Sequence, residues 1–243
     1  MNDQPFYAAW AEHYDDVFPV GPKAGFVAGR FPAAARLLDL GCATGGLAFA
    51  LAERGFEVCG VDLDAALVAR AQQRLRGEPT PGLSFSRGDM LALPSPPSPF
   101  HGVLCLGNTL VHLLDRQQRI ATLRSMAGQV GVGGGLLVQI VNYDRVLEQA
   151  VEQLPLIDNS AVRFERRYVQ LSPAGLRFEA RLLVKATGRV LSVAQPLFPL
   201  TRGALHDELL QAGWEPRAWF GGYGGAPLGP ESFGCMVHAT RAG

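Results

Sequence analysis

Three carboxylates carry the first chemical signal in this chain. Asp39, Asp62 and Asp89 each close a strand-like run, in RLLDLG, EVCGVD and FSRGD. Asp39 stands two residues before the small-residue turn GCATGG, residues 41–46. Small residues let backbone approach a ligand, and the helix that follows offers free N–H donors. A dinucleotide turn would want glycine at 41, 43 and 46, but position 43 is Ala43. The spacing that holds is Asp39-x-Gly41-x-x-x-Gly45. An acid so close to the turn repels phosphate and suits a positive or hydrogen-bond-donating group. Asp62 lies 23 residues after Asp39, where a carboxylate can accept from both hydroxyls of a ribose. A helix N-cap is the competing role for Asp62, and Asp64 fills it more naturally. Asp89 can accept from an adenine amino group while Met90 packs on the ring, although Asp after Gly is also ordinary turn chemistry. Three such acids without a phosphate-binding lysine describe an adenosine that carries no phosphates.

The elements that must position these acids alternate in type. Strand-like runs at 35–40, 57–62, 83–87, 102–106 and 136–142 are separated by helical patterns at 47–54, 65–75 and 115–129, with GVGGG read as the turn before the fifth strand. Several strands are apolar on both faces, as a parallel sheet covered on both sides requires. The pattern then changes. Runs at 162–171, 176–186 and 189–198 are joined only by SPAG and TG, and such tight links join antiparallel neighbours. Thr201 can cap a helix running to Ala212, with Gly213 closing it. Two strands near 216–220 and 233–240 complete the chain. The expected fold is α/β: a Rossmann-like, doubly wound, seven-stranded, mostly parallel sheet with a three-stranded antiparallel insertion after strand five. The expected division is an N-terminal segment 1–34, a core of 35–147 and 200–243, and an insertion 148–199.

Bulk properties narrow the function classes. A chain of 243 residues, nearly half of them apolar and with zero formal net charge, buries one substantial core and is not disordered. Nothing global points to nucleic acid or an anionic membrane. Cys42, Cys59, Cys105 and Cys235 form no CxxC and have no histidine at zinc spacing, so buried free thiols and no metal site are expected. The start MNDQPFYAAWAEHYDD is too acidic and aromatic for a signal peptide, and no apolar run approaches bilayer length. A cytoplasmic protein is expected.

In order and spacing, LLDLGCATG, VCGVDLD, SRGDMLALP and the apolar fourth strand followed by LGNTLVHL resemble the motifs of class I S-adenosylmethionine-dependent methyltransferases. The stretches FHGVLCLGNTLVHLLD and VNYDRVL look like those of the glycine N-methyltransferase group and related small-molecule methyltransferases. The chain departs from that group in having no long N-terminal extension, which points away from glycine itself as acceptor. The resemblance implies S-adenosyl-L-methionine as cofactor. Asp39 and carbonyls near Gly41 would meet its ammonium, Asp39 also ordering the turn, with Ala43 and Gly45 in the same turn. Asp62 and Leu63 would meet the ribose side, Asp89 and Met90 the adenine, and Leu106 would close over adenosine and methionyl chain. FYAAWAEHYDDVFPVGPK resembles a cofactor-covering helix with Tyr7, Trp10 and Tyr14 on one face. Packing on the sheet is the competing role for Trp10. Lys23 would meet the methionyl carboxylate, or be a solvated surface lysine.

Asn108 and His112 follow strand four, beside the place where the methyl group moves. His112 orients or deprotonates an acceptor, or caps a helix start. Asn142 and Tyr143 are expected to line the acceptor pocket, with Tyr168 and Tyr223 as further candidates. GNTL is not an Asn-Pro-Pro-Tyr-type motif, which argues against DNA or glutamine as acceptor. The insertion is locally basic: Arg163, Arg166, Arg167, Arg177, Arg181, Lys185, Arg189 and Arg202 face Glu165 and Glu179. A solvated outer face accounts for most of them, while one turned inward would clamp a carboxylate. Arg177, Glu179 and Arg181 share one face, opposite Phe178, Ala180 and Leu182. The expected reaction is direct in-line N- or O-methylation of a small molecule, by positioning rather than by an indispensable base or a metal. The competing functions are a cofactor-binding protein without catalysis and a methyltransferase of tRNA or protein. The expected partners are a small acceptor, with neither membrane nor nucleic acid, in a monomer or homodimer.

Overall fold

The computed structural model describes residues 8–243, so Tyr7 lies outside the described residues. Seven strands form the main sheet: β1 (Arg36–Leu40), β2 (Glu57–Asp62), β3 (Leu83–Arg87), β4 (Phe100–Cys105), β5 (Val130–Val141), β10 (Trp214–Phe220) and β11 (Gly234–Arg241). Their order is β10-β11-β5-β4-β1-β2-β3, parallel except for β11, which runs antiparallel to both neighbours. The chain switches direction across the sheet between β1 and β4, and the carboxyl ends of these strands open the crevice where such folds take their ligands.

The helices between the strands begin and end where the local chemistry directs. In α4 (Ala65–Gly77) the Asp64 carboxylate caps by accepting from Ala66 and Leu67 N–H, the role assigned to it over Asp62. Asp115 caps α5 (Arg116–Ala127), and Thr201 caps α7 (Arg202–Gln211) through Ala204 N–H. Two further helices, α2 (Lys23–Ala28) and α3 (Gly46–Ala52), cover the core on either side of the first turn. Between α5 and α7 lies a buried ion pair the sequence did not announce. Arg119 Nη2 reaches Glu208 Oε1 at 2.8 Å with both side chains 1% exposed. The same guanidinium donates to the Leu113 and Leu114 carbonyls and lies 4.0 Å over the Phe198 ring. It thereby anchors the loop after His112.

Two expectations need correction. GVGGG is not a turn outside the strand; β5 already begins at Val130. Phe100 pairs with Val130 while Gly102 pairs with Gly135, so extra residues bulge from β5, with Gly133 at φ +77°. Gly102 and Gly135 make room for the Phe31 ring: an added Cβ would lie 2.1 and 2.6 Å from it. The second sheet is also larger than expected. Three long strands, β7 (Val162–Ser172), β8 (Gly175–Val184) and β9 (Arg189–Leu197), are antiparallel as read, but the two-residue β6 (Ile157–Asp158) adds a fourth at the edge. It was too short to leave a periodic signal.

In the second sheet, alternation decides what faces the cleft. Val162, Phe164 and Tyr168 of β7 and Ala180 and Leu182 of β8 are buried. Arg163, Glu165, Arg167, Arg177, Glu179 and Arg181 take the opposite face, where Glu165 pairs across from Arg181 and Arg167 across from Glu179. The N-terminal segment closes over this sheet. It is a 3-10 turn, Ala8–His13, followed by the single turn α1 (Tyr14–Val17), rather than one continuous helix. Trp10 does pack on a sheet, but on this second one, 4.9 Å from Phe164.

Candidate active site

The first turn is shaped by conformation before chemistry. Gly41, Ala43 and Gly45 have φ of +75°, +50° and +81°, a region where only glycine is at ease. Ala43 occupies it with help. Its N–H donates to Asp62 Oδ2 at 2.8 Å, and Asp62 Oδ1 accepts from Asp64 N–H at 2.9 Å. Asp62 is thus the brace that holds the turn against β2. Burial raises its pKa, and these backbone donors oppose the rise. Gly45 cannot take a side chain, because a Cβ would meet Phe85 at 2.5 Å.

Asp39 is the chemically unusual member. It is 3% exposed, and among the described residues no hydrogen bond or ion pair reaches its carboxylate. Burial, and secondarily the charge of Asp62, push its pKa up to about 7, against the attraction of Lys23. Burial lowers the Lys23 pKa, against the pull of Asp39 and Asp15. Asp39 and Lys23 line one small cavity together with Tyr14, Gly41, Leu106 and Tyr223. A buried carboxylate without a donor, at the wall of a cavity, is a receptor for a cationic group. Thr44 Oγ donates to Asp15 and so ties α1 to the turn. Asp89 is exposed and caps the next turn through Leu91 N–H, Met90 is half-buried beside it, and Leu63 is 61% exposed at the end of β2. These three are on the same rim as Asp62 and outside that small cavity.

A second cavity of about 190 Å³ adjoins the first. Both are lined by Tyr14, Phe18, Lys23 and Gly107. The second is completed by Trp10, Asn108, His112, Arg166, Tyr168 and Gln195, among others, and among the described residues no Asp or Glu lines it. Gly107 and Asn108 hold left-handed backbone, φ +72° and +66°. Gln139 fixes this corner by accepting from Gly107 N–H at 2.8 Å and from the Tyr223 hydroxyl at 3.3 Å.

Asn108, His112, Asn142 and Tyr143 separate in role. Asn108 accepts from Val141 N–H at 2.9 Å and donates to the Tyr143 hydroxyl at 3.0 Å. Tyr143 is fully buried and does not line the cavity as expected; it stands behind Tyr168, whose hydroxyl it hydrogen-bonds. Burial raises the Tyr168 pKa to about 12, against that bond and the nearby Arg166 and Arg145 charges. Asn142 also does not line the pocket. It caps α6 (Tyr143–Glu148) through Arg145 N–H and donates to the Ser232 carbonyl at 3.0 Å. Both corrections have one cause: the residues after β5 turn at once into a helix, which directs them into the core. His112 ends a short 3-10 turn, Leu110–His112, and does face the cavity. Burial lowers its pKa to about 4, opposed by a hydrogen bond with Gln195, so the ring is neutral near pH 7.

Gln139, Gln195 and the brace between Asp15 and Thr44 were missed in the sequence. Glutamines in strands carry no local signature. Tyr168 and Tyr223 were candidates, and both line the cleft. Among the described residues no cluster of metal-ligating side chains occurs, and no helix is long and apolar enough to cross a membrane. Cys42, Cys105 and Cys235 are buried free thiols, and Cys59 is half-buried.

Comparisons with known proteins agree with this geometry. A family described as a methyltransferase domain matches residues 37–134. Glycine N-methyltransferase of Oryctolagus cuniculus is 31% identical over 125 residues, covering 46% of this chain and 42% of that protein. The chain spans about half the length of the curated relatives it matches. Among solved structures, the CcbJ methyltransferase from Streptomyces caelestis superposes with a TM-score of 0.86 at 22% identity over all of both chains. CalS10 from Micromonospora echinaspora, described as an amino pentose methyltransferase with S-adenosylmethionine bound, gives 0.71 at 25% identity, again over all of both chains.

Proposed function

We propose that this chain is a class I S-adenosylmethionine-dependent methyltransferase that transfers a methyl group to a small-molecule amine at the junction of the two cavities. The observation that carries the reading is that junction. A cavity with a buried, donorless carboxylate shares four lining residues with a second one that contains no carboxylate. The first suits the cationic amino-acid end of the cofactor, and the second an acceptor. S-adenosylmethionine supplies, when bound, a methyl group already activated by sulfonium charge.

The chain's own residues do the rest. Asp39 meets the ammonium and Lys23 the carboxylate of the methionyl end. Asp62 accepts from ribose hydroxyls with the lone pairs its backbone donors leave free. Asp89, Met90 and Leu63 border the adenine, and Leu106 closes the turn side. Tyr14, Phe18 and Trp10 exclude water from the junction. Such alignment is worth on the order of 7–11 kcal/mol, so a covalent step by the protein is not needed. A neutral His112 with a pKa of about 4 is a poor base toward an ammonium or hydroxyl. An amine that enters unprotonated needs none, which favours nitrogen over oxygen as acceptor. The activity of glycine N-methyltransferase points the same way.

Calorimetry with S-adenosylmethionine, S-adenosylhomocysteine and NAD tests the cofactor assignment. Heat with both sulfur nucleotides and none with NAD is expected, and silence with both sulfur nucleotides overturns it. Labelled methyl transfer into small molecules of a metabolite extract, but not into tRNA or protein, is the expected second result.

A further inference from the structure

Five arginines lie on β7 and β8, and one of them differs from the rest. Arg163, Arg167, Arg177 and Arg181 are each within 4.0 Å of Asp158, Glu165 or Glu179. They form an ion-paired outer lattice. Arg166 has the parity of Phe164 and Tyr168, so the alternation of β7 turns it to the inner face. There it lines the second cavity, and among the described residues no carboxylate lies within 4.0 Å of it. One of its nitrogens, Nη2, donates to the Pro155 carbonyl at 2.7 Å, while Nε is buried with no acceptor.

The half-buried Arg166 guanidinium cannot discard its proton, and its partial withdrawal from water is costly without a counter-charge. Burial does lower the Arg166 pKa, yet at any ordinary pH the group stays cationic. The other cation of this cavity, Lys23, already faces Asp39 and Asp15. A second unmet donor lines the same space: the Gln195 amide nitrogen is buried without an acceptor, although Gln195 also hydrogen-bonds His112. The Tyr168 hydroxyl lies beside Arg166 in the same wall. A cavity bordered by an unpaired cation, an unmet amide donor and a hydroxyl, and among the described residues by no carboxylate, is complementary to an oxyanion.

We propose that the methyl acceptor carries an oxyanionic group, carboxylate or phosphoryl, received by Arg166 with Gln195 and Tyr168 as accompanying donors. This rests on the methyl-transfer reading of the cleft and adds the charge class of the acceptor. The cavity is small, about 190 Å³. It therefore takes a small amino acid or phosphorylated amine, or one such end of a larger molecule.

The test uses the whole chain saturated with S-adenosylhomocysteine. Thermal midpoints are compared in acetate, in inorganic phosphate and in chloride at matched ionic strength, for the native chain and for Arg166→Gln. The native chain is expected to gain stability from one of the two oxyanions over chloride, and Arg166→Gln to lose that gain, its apparent affinity falling roughly tenfold or more. A gain with acetate identifies a carboxylate acceptor, and one with phosphate a phosphoryl acceptor. Arg166→Gln should bind S-adenosylhomocysteine as the native chain does, which separates this outcome from misfolding. If neither anion gives a gain that depends on Arg166, the proposal is wrong. Labelled transfer into extract fractions split by anion exchange provides an independent measurement. Acceptors are expected in the retained fraction, and acceptors confined to the flow-through overturn the proposal. Absent sulfur-nucleotide binding would sink the cofactor assignment instead, a result distinguishable from either.

Discussion

The two halves of the cleft are built on different principles. The cofactor half is made by backbone: a turn of positive-φ residues braced by Asp62, at the carboxyl end of adjacent parallel strands. Its charged side chains are Asp15, Asp39 and Lys23 among the described residues. The acceptor half is made by side chains that come from the N-terminal segment, the loop after β4, and strands β5, β7 and β9. Among the described residues it has no acid and one guanidinium without a carboxylate partner. A half that rests on backbone geometry tolerates little change, because one lost brace moves every atom of the turn. A half assembled from separate side chains can be retuned one residue at a time.

The largest effect should come from removing the brace. Asp62→Ala deletes the acceptor of Ala43 and Asp64 N–H together with the proposed ribose contact. Hydrogen bonds to a charged group are worth about 1.5–3 kcal/mol each. Cofactor affinity should therefore fall on the order of 100-fold or more by calorimetry, with Asp62→Asn retaining part of it. An Asp62→Ala chain that binds S-adenosylhomocysteine normally would erase the contrast between the halves.

A smaller, graded effect should follow from Asp39. In the empty chain its carboxyl holds a proton up to about pH 7. A cationic ligand requires the ionised form, so the pKa must fall on binding and a proton must leave. Affinity for S-adenosylhomocysteine, whose amino group is cationic, should thus weaken as pH drops below 7, approaching about tenfold per unit. Above pH 7 it should level off. Asp39→Asn should bind more weakly and lose this slope. A native profile flat from pH 6 to 8, a range of about two units around that pKa, would remove Asp39 from the ammonium site.

The same contrast sets what the sequence makes legible. Asp39, Gly41, Gly45 and Asp62 follow one another within two β/α units, so their roles are written in spacing. The alternation of strands and helices likewise follows from periodicity, and the caps at Asp64, Asp115 and Thr201 from residue type. What is not local was not legible. Gln195 meets His112 only because β9 folds back along the loop after β4. Tyr143 and Asn142 were placed one layer too far out, since the helix begins directly after β5 with Asn142 as its cap. The glycines of GVGGG signalled a turn, but they serve a bulge inside β5. Arg166 lies between the two cases. Its sequence alternation with Arg163, Glu165 and Arg167 already separated it from them, but only the second sheet's orientation against the cleft showed that its side was inward.

The smallest catalytic effect should come from the residue that most invites a large one. His112 is the histidine that lines the cleft, and a general base there would be the ordinary inference. Burial leaves it neutral, with a pKa of about 4, against the opposing pull of the Gln195 bond. His112→Gln keeps hydrogen-bonding capacity and should lower kcat by less than about tenfold, because positioning rather than proton abstraction is lost. Stability gives an independent reading. The unfolded chain protonates this histidine below its ordinary pKa of 6.5, while the folded chain resists until about 4. The neutral ring's contribution is therefore complete above pH 6.5 and lost as pH falls towards 4, up to about 3 kcal/mol. Denaturant midpoints of the native chain should drop across that window more steeply than those of His112→Gln. A loss of kcat on the order of 100-fold with cofactor affinity intact would make His112 the base. The acceptor would then be one that must surrender a proton during transfer, and the acceptor half would share the cofactor half's dependence on a single ionisable group.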